Sequence, residues 1–234
     1  MIIGTATLKV GTGAMEMTVA RPDDADRHPA VLVCHHRGGV DDFTRYALVR
    51  LAEIGLVAAA PNFYHRRPQG EDPVASMKHL DDNELVADIN AAVAHLVEMP
   101  SVRADRVGTV GHCLGGRTSY LALVYNPVFM AAALLYHGNI FEARGAGMVA
   151  PVELTAKIHC PVLGLFGADD KNPSPEATGR LAEIFTGHGI RHEFHTYSDT
   201  GHAFQDFHDP GHYRQASADD AWAKLLAFLR REML

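Results

Sequence analysis

One cysteine of this chain stands in the run Gly111-His112-Cys113-Leu114-Gly115, with glycine two positions away on each side. That spacing suits a strand that turns at once into a helix. The residue at the turn holds a strained backbone, and its neighbours two away approach so closely that a β-carbon would clash. Such a turn lifts one side chain clear of a sheet, at a helix N-terminus whose dipole and free N–H groups favour a thiolate. The N–H of Leu114 then points where negative charge forms on an attacked carbonyl. A second donor is expected from the loop after the first parallel strand; Arg37 N–H is the candidate, with Gly38-Gly39 letting substrate approach. A nucleophile also needs a proton acceptor and a group to orient it. His202, in Thr200-Gly201-His202-Ala203-Phe204, and Asp170, in Gly167-Ala168-Asp169-Asp170, supply these, in the chain order Cys, Asp, His. Asp169 competes for the orienting role; Asp170 is preferred because it lies further along the loop. The chemistry of such a set is acyl transfer.

Each of these residues also has a plainer reading. Cys113 can be a buried structural cysteine, as Cys34 and Cys160 in their apolar runs are expected to be. His202 can be a surface histidine, and Asp170 a loop or helix-start carboxylate. His36 and Arg37 divide between site lining and ordinary loop polarity. Tyr64, His137 and Phe204 are candidates for the pocket wall, and His112 for a position near its mouth. The 15 histidines are read mostly as surface and loop residues. No His-Glu-x-x-His or paired Cys-x-x-Cys spacing occurs, so neither metal nor other cofactor is expected.

The elements that must position these residues follow from periodicity. "ATLKV" and "AMEMTVA" read as an antiparallel pair around Gly11-Thr12-Gly13. Strands are expected at "AVLVCHH", "LVAAAPN", "RVGTVG", "MAAALLYHG", "CPVLGLFG" and "HEFHTY". Helices are expected from about Asp42 to Gly55, from Asn83 to Glu98, over "LGGRTSYLALVY", from Ser174-Pro175, and around Trp222 to Leu229. Residues 139–157 read as loop with a short helix at most, and Asp219-Asp220 as a helix-start charge. Strands alternating with helices imply βαβ units and a mostly parallel sheet covered on both faces, with the site at the carboxyl ends of the strands.

The totals agree with one domain spanning 1–234. Hydrophobic residues make up 47% of 234 and charged residues 21%. A net charge of −7 argues against nucleic acid as a partner. No apolar run is long enough to span a bilayer, and the N-terminus lacks the basic start and apolar core of a signal peptide. A cytoplasmic setting is expected, which keeps thiols reduced.

Together "GHCLGG", "FGADD" and "SDTGHAF" resemble the α/β-hydrolase superfamily, and the cysteine points to its dienelactone hydrolase family (carboxymethylenebutenolidase-like). The resemblance implies an α/β-hydrolase fold without a large cap. It also implies hydrolysis of a small lactone or ester through a cysteinyl acyl-enzyme, with Cys113, Asp170 and His202 as the triad and no cofactor. The partner is then a small-molecule substrate, and the protein a monomer or small homo-oligomer. Two departures stand out. Family members carry a glutamate after the first parallel strand, where this chain has His35-His36, so His36 takes that place. Dienelactone-specific members have an arginine soon after the catalytic histidine; here Gln205 and Asp206 stand there. Asp206 would repel a substrate carboxylate, and Arg37, Arg66 and Lys78 are candidates for a replacement cation. The remaining alternatives are an esterase or thioesterase with another small acyl substrate, and a non-enzymatic thiol- or metal-sensing protein.

Overall fold

Gly11, at a φ of 58°, turns the chain between its first two strands, β1 (Ile2–Val10) and β2 (Gly13–Arg21), which pair antiparallel. The computed structural model describes residues 1–68 and 70–234. After β3 (His28–Cys34) comes helix α1 (Asp42–Glu53), whose first turn is capped by Asp41 accepting from Thr44 N–H at 3.0 Å. Then follow β4 (Val57–Pro61), the short α2 (Pro73–Lys78) and α3 (Asp82–Glu98). Strand β5 (Val102–His112) leads through Cys113 into α4 (Leu114–Tyr125). Beyond β6 (Phe129–Leu135) lie a 3₁₀ helix (Pro151–Lys157), β7 (Val162–Gly167), α5 (Pro175–Gly187), β8 (His192–Tyr197) and α6 (Gln215–Met233).

The strands form one sheet in the order β1-β2-β4-β3-β5-β6-β7-β8, parallel from β4 to β8 and antiparallel at β1–β2 and β2–β4. The chain leaves β3 toward β4 on one side and returns to β5 on the other. The strand order therefore reverses between β3 and β5, and their carboxyl ends splay into a crevice. Cys113 follows β5 and Arg37 follows β3, so the topology puts both at that crevice.

Side chains alternate across the sheet. Ala30, Leu32 and Cys34 of β3 join the core beneath α3, α4 and α5, while Val31 and Val33 join the core beneath α1 and α6. Both cores are dry: Leu85, Ile89 and Leu121 on one face and Leu51, Leu225 and Leu229 on the other are at most 1% exposed. Each such side chain contributes roughly 1.5–3 kcal/mol by leaving water.

Three details differ from the sequence reading. Helix α2 was not anticipated, because six residues are too few to show an apolar period. Strand β5 starts at Val102, four residues before the expected Arg106. Helix α6 begins at Gln215, so Asp220 lies inside it and bonds the Tyr197 hydroxyl at 2.8 Å and Lys224 one turn on, instead of marking the helix start. No helix among the described residues is long and apolar enough to cross a membrane.

Candidate active site

Cys113 has φ 56° and ψ −119°, a left-handed conformation costly for any residue with a β-carbon. Its surroundings enforce it. A β-carbon on Gly111 would lie 2.0 Å from the Gly115 carbonyl oxygen, and one on Gly115 would lie 1.9 Å from the Cys34 carbonyl oxygen. The strand β5, the first turn of α4 and the end of β3 thus pack backbone against backbone. The Cys113 N–H donates to the Leu135 carbonyl at 3.0 Å, which ties the turn to β6.

The loops after β7 and β8 bring two further groups to this turn. His202 Nε2 lies 3.0 Å from Cys113 Sγ, and His202 Nδ1 lies 2.8 Å from Asp170 Oδ2. Asp170 is 5% exposed, and its other carboxylate oxygen accepts from Asn172 N–H at 2.8 Å. Asp169 serves elsewhere: its backbone N–H donates to the Thr200 carbonyl at 2.9 Å and holds the His202 loop down. Gly167 allows this approach, since a β-carbon there would sit 2.2 Å from the Thr200 oxygen. The carboxylate beside Nδ1 fixes the proton on that nitrogen and leaves Nε2 toward the sulfur.

The electrostatics of the pair follow. Burial opposes charge on both groups. For His202, the hydrogen bonds to Asp170 and to the sulfur, with the charges of both, outweigh burial and push the imidazole up to about 10. For Cys113, the His202 hydrogen bond and charge, the Leu114 N–H and the Arg37 charge hold the thiol below its ordinary value. Both shifts favour a thiolate–imidazolium pair.

The loop after β3 is built as a clamp. His35 is 1% exposed; its Nδ1 donates to the His36 carbonyl at 2.7 Å and its Nε2 accepts from Phe63 N–H at 3.1 Å. Burial pushes His35 down to about 4, so it holds the loop as a neutral ring. The Arg37 N–H donates to no backbone carbonyl among the described residues. The Arg37 carbonyl accepts from the Tyr64 hydroxyl at 2.9 Å. His36 Nε2 bonds Asp41 at 2.7 Å, and His36 Nδ1 stands 3.6 Å from Asp206 Oδ2. Among the described residues no hydrogen bond joins His36 to the sulfur.

Cys113 and His202 lie on the walls of two cavities. One is also lined by His36, Arg37, Tyr136 and Asp206. The other adds Leu114, Asn139 and Arg144. Three residues expected on the pocket wall, and His112 expected near its mouth, line neither cavity. His112 is 2% exposed, packed edge-on to Phe43 beneath the crevice. His137 is 1% exposed with its ring against Phe166, and Phe204 is fully buried against Tyr136. Tyr64 spends its hydroxyl on the Arg37 carbonyl and lines a neighbouring polar groove. The rings of His112, His137 and Phe204 turn inward to cover the core. Of the candidate cations, Arg66 is committed to the buried Asp88 at 2.6 Å, and Lys78 lines an adjoining groove beside Arg144. Tyr136, at the end of β6, and Arg144, in the long loop beyond it, were not anticipated. A tyrosine closing a strand carries no spacing signal. Among the described residues no three or more His, Cys, Asp or Glu side chains are grouped to hold a metal ion.

A family model described as the dienelactone hydrolase family matches residues 15–233. This chain belongs to the dienelactone hydrolase family. It is a hydrolase of esters or lactones, with an α/β-hydrolase fold that lacks a large cap. A protein of Methylorubrum extorquens named "Putative carboxymethylenebutenolidase" is 28% identical over 240 residues, covering 99% of this chain and 81% of its own. A Bradyrhizobium protein named "Probable 2-oxo-3-(5-oxofuran-2-ylidene)propanoate lactonase" is 29% identical over 222 residues, covering 91% and 87%. Among solved structures, "Putative Dienelactone Hydrolase" from Klebsiella pneumoniae superposes with a TM-score of 0.88 at 27% identity, covering 98% of each chain.

Proposed function

We propose that this family member cleaves a small lactone or carboxylic ester through a thioester on Cys113. The observation that carries the reading is the unbroken contact from Cys113 Sγ through the His202 ring to Asp170, at 3.0 and 2.8 Å. The Cys113 thiolate attacks the substrate carbonyl carbon, and the carbonyl electron pair moves onto oxygen. The N–H groups of Leu114 and Arg37 receive that oxyanion. Its collapse breaks the carbon–oxygen bond, and His202 Nε2–H gives its proton to the departing alkoxide. A lactone's leaving oxygen stays tethered to the acyl group.

In the second half His202, now neutral, takes a proton from water as the oxygen attacks the thioester. The acid departs, and thiolate and imidazolium are restored. Asp170 holds the proton on Nδ1 throughout and stabilises the imidazolium. Rapid mixing with an excess of 4-nitrophenyl acetate tests this. The expected result is a burst of nitrophenolate equal in amount to the enzyme, absent from Cys113→Ala. A Cys113→Ala protein that keeps the burst would overturn the assignment.

A further inference from the structure

Tyr136 holds an unpaired polar group beside the site. The residue is 1% exposed, yet its hydroxyl has no hydrogen-bond partner. Buried phenols ordinarily find one, because a desolvated and unpaired O–H costs stability. The ring is held in place, edge-on to His202 at 5.4 Å and to Phe204 at 5.2 Å. Its backbone takes φ 36°, uncommon for an aromatic residue, while its N–H donates to the Leu165 carbonyl at 2.8 Å. A strained residue with an unanswered donor thus contributes to the wall of the cavity that contains Cys113.

Asp206 lines the same cavity with a side chain 13% exposed. Its backbone N–H donates to the Ala203 carbonyl at 2.9 Å, which fixes it beside His202. Its Oδ1 accepts from His208 N–H at 3.0 Å, whereas its Oδ2 is 3.6 Å from the nearest His36 nitrogen and keeps acceptor capacity. Arg37 lines the same space, with its guanidinium 3.9 Å from the Asp209 carboxylate, which lines it too. A substrate arm bearing a carboxylate meets Asp206 and Asp209. A neutral hydroxyl suits Tyr136 and Asp206, since it can accept from the first and donate to the second.

We propose that Tyr136 and Asp206 form a hydroxyl-recognition subsite beside Cys113, so that the preferred substrates are esters or lactones with a free hydroxyl on the arm entering this cavity. The inference rests on the reading of Cys113 as nucleophile, and its test separates the two. Equilibrium binding is measured to Cys113→Ala with two matched pairs: methyl 3-hydroxybutanoate against methyl butanoate, and 2-hydroxyethyl acetate against ethyl acetate. In at least one pair the hydroxylated ester should bind about tenfold more tightly, because a site built for a hydroxyl penalises the analogue lacking it. That ratio should fall toward one when Tyr136→Phe or Asp206→Ala is added. Equal binding within both pairs, or a ratio unmoved by either substitution, would overturn the subsite. Turnover by the unsubstituted protein is measured alongside. Its absence for every ester counts against the hydrolytic reading of Cys113, while the binding ratios still decide the subsite.

Discussion

The three cysteines of this chain occupy two kinds of environment, and burial alone would make all of them inert. Cys34 and Cys160 sit in the apolar core, and burial pushes their thiols up to about 11 and about 12. Cys113 is opposed by burial as well, yet His202, the Leu114 N–H and the Arg37 charge carry it the other way. The thiolate–imidazolium pair should persist from the lowered thiol value up to about 10, where His202 loses its proton. As pH falls from 9.0, the ordinary thiol value, alkylation of Cys113 by iodoacetamide should hold its rate until the pH reaches the lowered thiol value. In His202→Gln only burial and weaker donors act, so the thiol rises and the rate falls by about tenfold per pH unit below it. A wild-type rate that declines as steeply as the variant's would show that no ion pair exists. Cys113, Asp170 and His202 were legible in the sequence because glycines and chain order mark them. Tyr136 was not, and His112, His137 and Phe204 were misplaced, because which way a ring at a strand end turns is settled by packing partners far away in sequence.

The elements position the site through contacts that tolerate no added atoms. Around the turn from β5 into α4, the clash distances at Gly111 and Gly115 are with backbone oxygens that cannot rotate aside. Gly115→Ala should therefore destabilise the protein by about 3 kcal/mol in urea titration. Gly179 is the control: it lies inside α5 with nothing within 4 Å of an added β-carbon. There alanine should stabilise by about 0.5–1 kcal/mol. Equal effects at the two positions would contradict the packing assigned to the turn. The loop between β6 and β7 is anchored differently. Arg117 of α4 pairs with the fully buried Asp82 of α3 and donates to the Asn139 and Glu142 carbonyls at 3.0 and 2.8 Å. Strands and long helices were readable from their periods, and α4 was read to its last residue because Asn126-Pro127 stops it. The anchoring of residues 139–144 was invisible, since a buried arginine and a surface arginine look alike in a sequence.

At the scale of the molecule, both apolar cores share the strands of one sheet, and the site sits where its strand order reverses. Alternating strands and helices announced this architecture, and the rule for sheet crevices pointed to the edge where Cys113, His202 and Asp170 meet. We infer that residues 1–234 form one domain, because neither core has a sheet of its own to fold on. Unfolding in urea should then give coincident curves by far-ultraviolet circular dichroism and by the fluorescence of the single tryptophan, Trp222, which is 4% exposed on α6. Two separated transitions would mean that the faces fold independently.

The account depends above all on a covalent bond to one sulfur. Acid quenching during the burst with 4-nitrophenyl acetate, then tryptic digestion and mass spectrometry, looks for that bond directly. The peptide of residues 107–117 has Cys113 as its only cysteine. An acetyl group on Cys113 in that peptide is the predicted result; an acetyl group confined to another residue, or steady turnover with no acylated protein at any time, would contradict it.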